Sequence, residues 1–228
     1  MHVESKKVRK FLSKKIQQLN DIVADLDTIV TELGSEYYRV SIFGSARIKP
    51  DTAEYKQVYS LAKQLASCGV DIVTGGGPGL MEAANAGAKE GGNVSRSFGL
   101  HIELPFEADT NSHLDVKYLH RRFSSRLDEF MRMSHAVIVT PGGIGTLLEL
   151  LYTWQLMQVN HIAERPLILM GEMWKGLIDW LEDGPLKEQL MDQKDFDRLI
   201  YAKSIEEVVG QLEPHVKTFY QNKAKSPK

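Results

Sequence analysis

The sequence predicts an α/β fold with a parallel sheet covered by helices on both faces. Three observations carry that expectation. Strand-like and helix-like segments alternate from Tyr38 onward. Several strand candidates, among them Ala136 to Thr140 and Pro166 to Met170, are continuous apolar runs, as strands buried on both faces are. Two strand candidates end in glycine-rich turns that open helices.

The elements follow in order. Residues 4 to about 33 read as one helix, because Leu12, Ile16, Leu19, Val23 and on to Leu33 recur at alternating steps of four and three. Gly34 is a plausible stop. That apolar seam fits either packing on its own domain or contact with another copy. Tyr38 to Phe43 is a β-prone run ending at Gly44-Ser45. A helix is expected from Thr52 to Ser67, with Tyr55, Val58, Tyr59, Ala62 and Leu65 on one face. Val70 to Thr74 is the next strand, Leu80 to Glu90 a helix, and Ser97 to Leu104 a third strand. Val116 to Met133 reads as one arginine-rich helix. A strand at Ala136 to Thr140 and a helix from Thr146 to about Val159 follow. Pro166 to Met170 is a further strand, with helices near Met173 to Leu181 and Ile205 to Val216. The expected organisation is an N-terminal helix over residues 1–34, a Rossmann-like domain over 35–220, and a polar, fraying tail over 221–228.

Composition sets the outer limits. A hydrophobic content of 43% and a charged content of 25% are ordinary for a globular chain. A formal net charge of −2 gives no reason to expect nucleic acid or an anionic membrane as partner. No apolar run approaches the ~20 residues of a membrane span. The N-terminus lacks the apolar core of a signal peptide. A single cysteine, Cys68, fits a reducing cytoplasm.

The glycine turns are the main functional signal. They stand in IVTGGGPGLMEAA and VIVTPGGIGTLLE. In open α/β sheets, ligands bind beyond the carboxyl ends of the strands. The first turn of a helix carries unpaired N–H groups and a partial positive charge, and both suit a phosphate. Gly142, Gly143, Ile144, Gly145 and Thr146 are the expected phosphate-binding residues, with Ser45, Gly76 and Gly77 as further ligand contacts. Neither turn fits G-x-G-x-x-G, and no P-loop pattern is present. A mononucleotide or sugar phosphate therefore fits better than a dinucleotide or a triphosphate. No zinc-ligand spacing occurs, and no metal or cofactor is expected.

Glu149 lies one helical turn after Thr146, so both can face one ligand. It reads either as a group that binds ribose hydroxyls and stabilises positive charge on the sugar, or as a carboxylate placed for the helix dipole. Glu82 has the equivalent place after GGGPG and the same two readings. The segment HRRFSSRLDEFMRMSH supplies Arg121, Arg122, Arg126 and Arg132, which cannot all share a helical face. Arg47 is another possible phosphate ligand.

FGSAR, GGGPGLMEAANAGA and PGGIGTLLE resemble the LOG (Lonely Guy) family of nucleoside 5′-monophosphate phosphoribohydrolases, over about Tyr38 to Met170. The long N-terminal helix is similar to that of the family's longer members, which form larger assemblies. The resemblance implies hydrolysis of the N-glycosidic bond of a purine, pyrimidine or cytokinin nucleoside 5′-monophosphate, giving free base and ribose 5-phosphate. It implies a homo-oligomer without cofactor. It marks Arg126, fifteen residues before Pro141, and Glu149 as the catalytic pair. Where the family has lysine after this arginine, the chain has Leu127, and Ser124-Ser125 replace a His-Glu of the shorter members. A non-catalytic nucleotide- or molybdenum-cofactor-binding carrier of the same fold is the alternative. Lysine decarboxylation, a name also given to such sequences, finds no lysine in either glycine turn to form a Schiff base.

Overall fold

A computed structural model describes residues 11–16, 18–19, 37–92, 94–102 and 110–225. The chain divides into two compact units, Met1–Glu36 and Tyr37–Lys228. In the first unit the described residues 11–16 and 18–19 are helical, with Leu12, Ile16 and Leu19 exposed. The remainder of the expected N-terminal helix, Gly34 included, lies outside the described residues.

The second unit is built on seven parallel strands: β1 (Arg39–Phe43), β2 (Asp71–Thr74), β3 (Ser97–Ile102), β4 (Val116–His120), β5 (Ala136–Val139), β6 (Leu167–Met170) and β7 (Leu199–Ala202). Their order is β4-β3-β2-β1-β5-β6-β7. The chain thus leaves β1 in one direction as far as β4, then returns to the other side of β1 with β5. This reversal opens a crevice at the carboxyl ends of β1 and β5, where open α/β sheets bind ligands. The main helices are α1 (Ala53–Ser67), α2 (Leu80–Glu90), α3 (Phe123–Met133), α4 (Ile144–Gln158), α5 (Lys175–Leu181), α6 (Gln193–Phe196) and α7 (Ile205–Lys225).

The alternating faces of the strands feed two cores. Val40, Ile42, Ile72, Ile138 and Ile168 pack on one side with α1, α2 and α7. Phe43, Val73, Val137, Val139 and Leu169 pack on the other with α3 and α4. Successive strand residues point to opposite faces, so a strand apolar throughout supplies both layers. The Thr52 hydroxyl accepts from the Tyr55 amide at 3.3 Å and starts α1. The buried face of α1 includes Leu61 beside the expected Val58, Ala62 and Leu65.

Two strands differ from the sequence expectation. The segment expected to be helical from Val116 is β4 as far as His120, and only Phe123–Met133 is helix. Strand β4 lies at the edge of the sheet and pairs through Val116↔Phe98 to His120↔Ile102. Its side chains are largely solvent-facing, so it lacks the apolar run that marks the central strands. Strand β7, at the other edge, has only the four residues LIYA. Helix α7 continues to Lys225, past the expected domain end at 220 and Val216. Residues 226–228 of the expected tail lie outside the described residues.

Candidate active site

Three loops meet above the crevice. They follow β1 (Gly44–Arg47), β2 (Gly75–Gly79) and β5 (Thr140–Gly143). Backbone hydrogen bonds tie them together: the Ser45 amide donates to Pro141 O at 3.0 Å, and the Leu80 amide donates to Ser45 O at 2.9 Å. Thr140 fastens its loop to the end of β1 by donating its hydroxyl to Phe43 O at 2.8 Å. Gly79, at φ +69°, lies so close to Ser45 O and Ala46 that a side chain there would collide with backbone.

Helix α4 begins at Ile144, two residues earlier than expected. Ile144, Gly145 and Thr146 therefore form its first turn, where amides have no intrahelical acceptor. A side chain built at Gly143 or Gly145 would meet open space, so the protein's own packing does not demand glycine at either position. That space is available to a ligand approaching the helix end. Ile144 projects into solvent at 87% exposure. The Thr146 side chain is buried and folds over Gly142.

Glu149 is one turn further on and almost buried, and its Oε1 accepts from Arg126 Nη1 at 3.3 Å. Burial pushes the Glu149 carboxyl up to about 7, against the opposing pull of Arg126. Arg126 comes from α3. Its Nε donates to Leu100 O of β3 at 2.7 Å, and its guanidinium lies 5.2 Å from the centre of the Phe130 ring. Nη2 occupies the space a side chain at Gly75 would need. The first glycine turn thus makes room for an arginine.

A buried polar cluster backs that turn. The Asn85 side chain accepts from Thr74 Oγ1 at 2.7 Å and from Asn111 Nδ2 at 3.0 Å, and donates to Ser97 Oγ at 2.8 Å. Asn111 also donates from Nδ2 to Gly77 O at 3.0 Å and from its backbone amide to Gly76 O at 2.9 Å. Sequence reasoning passed over Asn111, which has no motif around it. Asn85 stood inside the quoted GGGPGLMEAAN run, where its polarity amid alanines on a helix was the available signal.

The other expected residues lie around this centre. The Ser45 hydroxyl accepts from the Arg47 amide at 3.1 Å, and the Arg47 side chain is exposed. Glu82 is half-buried and helps raise the Tyr55 phenol, after burial of that phenol. Leu127 is buried, so the position of the family lysine points into the protein here. Arg132 pairs with Glu129, and Arg121 and Arg122 are exposed. His120, at the end of β4, is held below the usual imidazole range by burial, with Arg126 adding to the effect and Glu129 opposing it.

Two large side chains further along α4 do not reach this centre. Met157 is fully buried in the core, and Trp154 donates to Asp195 O at 2.7 Å and lines a separate groove of about 350 Å³ with Trp180 and Met191. Both are more than a helical turn beyond Glu149 on α4, which carries them away from the loop. No group of three metal-ligating side chains occurs among the described residues. None of their helices is long and apolar enough to cross a membrane.

The fold and the joined loops define an open α/β protein with an anion-compatible crevice at its switch point. The chain matches the family described as "possible lysine decarboxylase" over residues 81–212, more than half its length, and it belongs to that family, the LOG family. It is 33% identical over 126 residues to the pyrimidine/purine nucleotide 5′-monophosphate nucleosidase of Escherichia coli K12, covering 52% of this chain and 28% of that one. The chain therefore spans well under a third of the length of that relative. It is 28% identical over 188 residues to a probable cytokinin riboside 5′-monophosphate phosphoribohydrolase of Oryza sativa subsp. japonica, covering 80% of this chain and 86% of the rice protein. Among solved structures, the molybdenum cofactor binding protein of Rippkaea orientalis superposes with a TM-score of 0.58 at 20% identity, covering 80% of this chain and 99% of that one. At that identity the likeness shows the fold alone.

Proposed function

We propose that the protein hydrolyses the N-glycosidic bond of a nucleoside 5′-monophosphate to free base and ribose 5-phosphate. The observation that carries this reading is Glu149: a nearly buried carboxylate, paired with Arg126, one turn after an open helix N-terminus. The names of the E. coli and rice relatives support the reaction class.

The first-turn amides of Ile144, Gly145 and Thr146, with the Thr146 hydroxyl, hold the 5′-phosphate without a metal. Gly142 and Gly143 let the backbone approach it. Ser45, Gly76, Gly77 and Glu82 surround the remainder of the nucleotide. As the C1′–N bond breaks, its electron pair leaves with the base and positive charge grows on the sugar. The Glu149 carboxylate stabilises that charge and orients a water whose oxygen bonds to C1′. The water contributes one proton to the departing base, and its hydroxyl becomes the anomeric hydroxyl of ribose 5-phosphate. Arg126 favours the ionised form of the buried carboxylate, against the effect of burial, and aims it. Arg126 Nη2, beside Gly75, is the group that would reach the leaving base.

The test is chromatography of free base after incubation with a panel of purine, pyrimidine and cytokinin ribotides. Saturable binding of a nucleotide with no base released from any of them would favour the carrier reading. We also propose that the protein forms a homo-oligomer in the cytoplasm. Ile144, Leu148 and Leu151 form an exposed apolar line on α4, and Cys68 is a free, exposed thiol. Light scattering on the purified chain tests the first point.

A further inference from the structure

The Gly75–Gly79 turn is held more firmly than a turn that only reverses the chain requires. Both backbone groups of Gly76 are engaged. Its amide donates to Thr74 Oγ1 at 2.9 Å, and its carbonyl accepts from the Asn111 amide at 2.9 Å. The next carbonyl, of Gly77, accepts from Asn111 Nδ2 at 3.0 Å. The second proton of that side-chain amide goes to Asn85 Oδ1, and Asn111 Oδ1 accepts from the His113 amide at 3.1 Å. Asn111 is buried, and both protons of its side-chain amide are used. Asn85 is in turn anchored to Ser97 on β3.

The face of the turn at Gly75 receives Arg126. The guanidinium has a fixed carbonyl at Leu100 on one side and the Glu149 carboxylate on another, and its Nη2 fills the gap left by the missing side chain of Gly75. Gly75 is not among the residues with a positive φ, so no backbone strain calls for glycine there. The close approach of Arg126, with Met81 Sδ nearby, is what calls for it. A small movement of this turn would change the distance between Arg126 and Glu149. Buried, fully satisfied polar clusters are the device that prevents such movement.

We propose that Asn111 is a positioning residue for the active site: through Gly76 and Gly77 it sets the Gly75 slot, and the slot sets Arg126 against Glu149. The proposal rests on the hydrolase reading for its role in turnover, but the geometry it asserts is measurable without substrate. The probe is the ionisation of Glu149, followed by carboxyl ¹³C NMR on the full chain, its signal assigned by its loss in Glu149→Gln. Asn111→Leu keeps the branched heavy-atom skeleton and the backbone amide while removing both side-chain donors, and it adds no charge. Gly75→Ala fills the slot directly.

Both variants are expected to move the Glu149 midpoint upward by about 0.5–1 pH unit, because an opposite charge held close favours the ionised acid. Both should lower kcat more than they raise KM. A merely structural Asn111 would lower Tm and leave the Glu149 midpoint where it stands in the wild type, which would overturn the proposal. An unmoved midpoint in Gly75→Ala would overturn it as well. If Asn111→Leu does not fold, Asn111→Ser is read by the same criterion. If the midpoints shift while no nucleotide is cleaved by the wild type, the positioning stands and the hydrolase reading falls.

Discussion

Arg126 on α3 and Glu149 on α4 form an ion pair at 3.3 Å with side chains only 12% and 11% exposed. Neither charge is well solvated, and each makes the other tolerable. A buried pair of this kind is weak evidence for stability, since desolvation costs about as much as the attraction returns. Its place beside an open helix N-terminus gives it a functional reading.

Replacing Glu149 by glutamine keeps the shape and removes the charge. The expected loss in kcat is about 10²–10³, the scale for removing one preorganised electrostatic contact. Nucleotide binding, measured by calorimetry, should survive. Full activity in this variant would remove Glu149 from the chemistry.

The pH dependence follows from the same residue. Because burial puts the Glu149 carboxyl at about 7, the reactive carboxylate forms only as pH rises through that value. The kcat/KM profile of the wild type should therefore climb between about pH 6 and 8, one unit either side of that midpoint. Stability runs the other way. The folded-state value lies above the ordinary 4.5, so the folded protein binds this proton more tightly than the unfolded chain. That contribution is complete below about pH 4.5 and lost as pH rises through about 7. Glu149→Gln should consequently raise Tm relative to wild type at pH 8 by a few degrees and show no such gain at pH 4. Calorimetric scans at the two pH values check the sign.

The phosphate loop is tested at Thr146. Thr146→Val removes a hydroxyl while keeping the buried volume over Gly142. The loss of one charge-assisted hydrogen bond, about 1.5–3 kcal/mol, should weaken nucleoside monophosphate binding by roughly 10- to 150-fold. Binding of inorganic phosphate should fall with it. An unchanged KM would place the phosphate elsewhere.

A stability control lies at Asp71, fully buried on β2. It accepts from the Arg96 amide at 2.8 Å and from Arg39 Nε at 3.4 Å. Asp71→Ala leaves those donors without a partner in a partly exposed setting, and a loss of about 1–3 kcal/mol in denaturant titration is expected. Since no bond from Asp71 reaches the crevice, KM should not change.

Much of this site was legible in the sequence because its parts are local. The glycines of Pro141 to Thr146, and Glu149 one turn on, belong to one strand–turn–helix unit, whose residue types and spacing mark it as a candidate anion site. Arg126 was found through its fixed distance from Pro141 in the family pattern. Its partners are not legible: the Leu100 carbonyl has no side-chain signature, and the glycine turn that holds Gly75 reads as a ligand turn, with nothing to mark a slot for an arginine. Asn111 acts across 35 residues on Gly76, a relation that periodicity does not carry. In the fold, the central strands announced themselves by apolar runs. Strand β4 did not, because an edge strand with solvent-facing side chains joined to an arginine-rich helix offers no such run.

The central claim is that the helix α4 N-terminus reads a 5′-phosphate and that Glu149 then cleaves the nucleotide. The most direct measurement is release of free base from a panel of nucleoside 5′-monophosphates, run beside the same nucleosides without phosphate. The account predicts base and ribose 5-phosphate from at least one monophosphate, little from its nucleoside, and release slowed by about 10²–10³ with Glu149→Gln. Equal cleavage of nucleoside and monophosphate, or undiminished cleavage by Glu149→Gln, would contradict it.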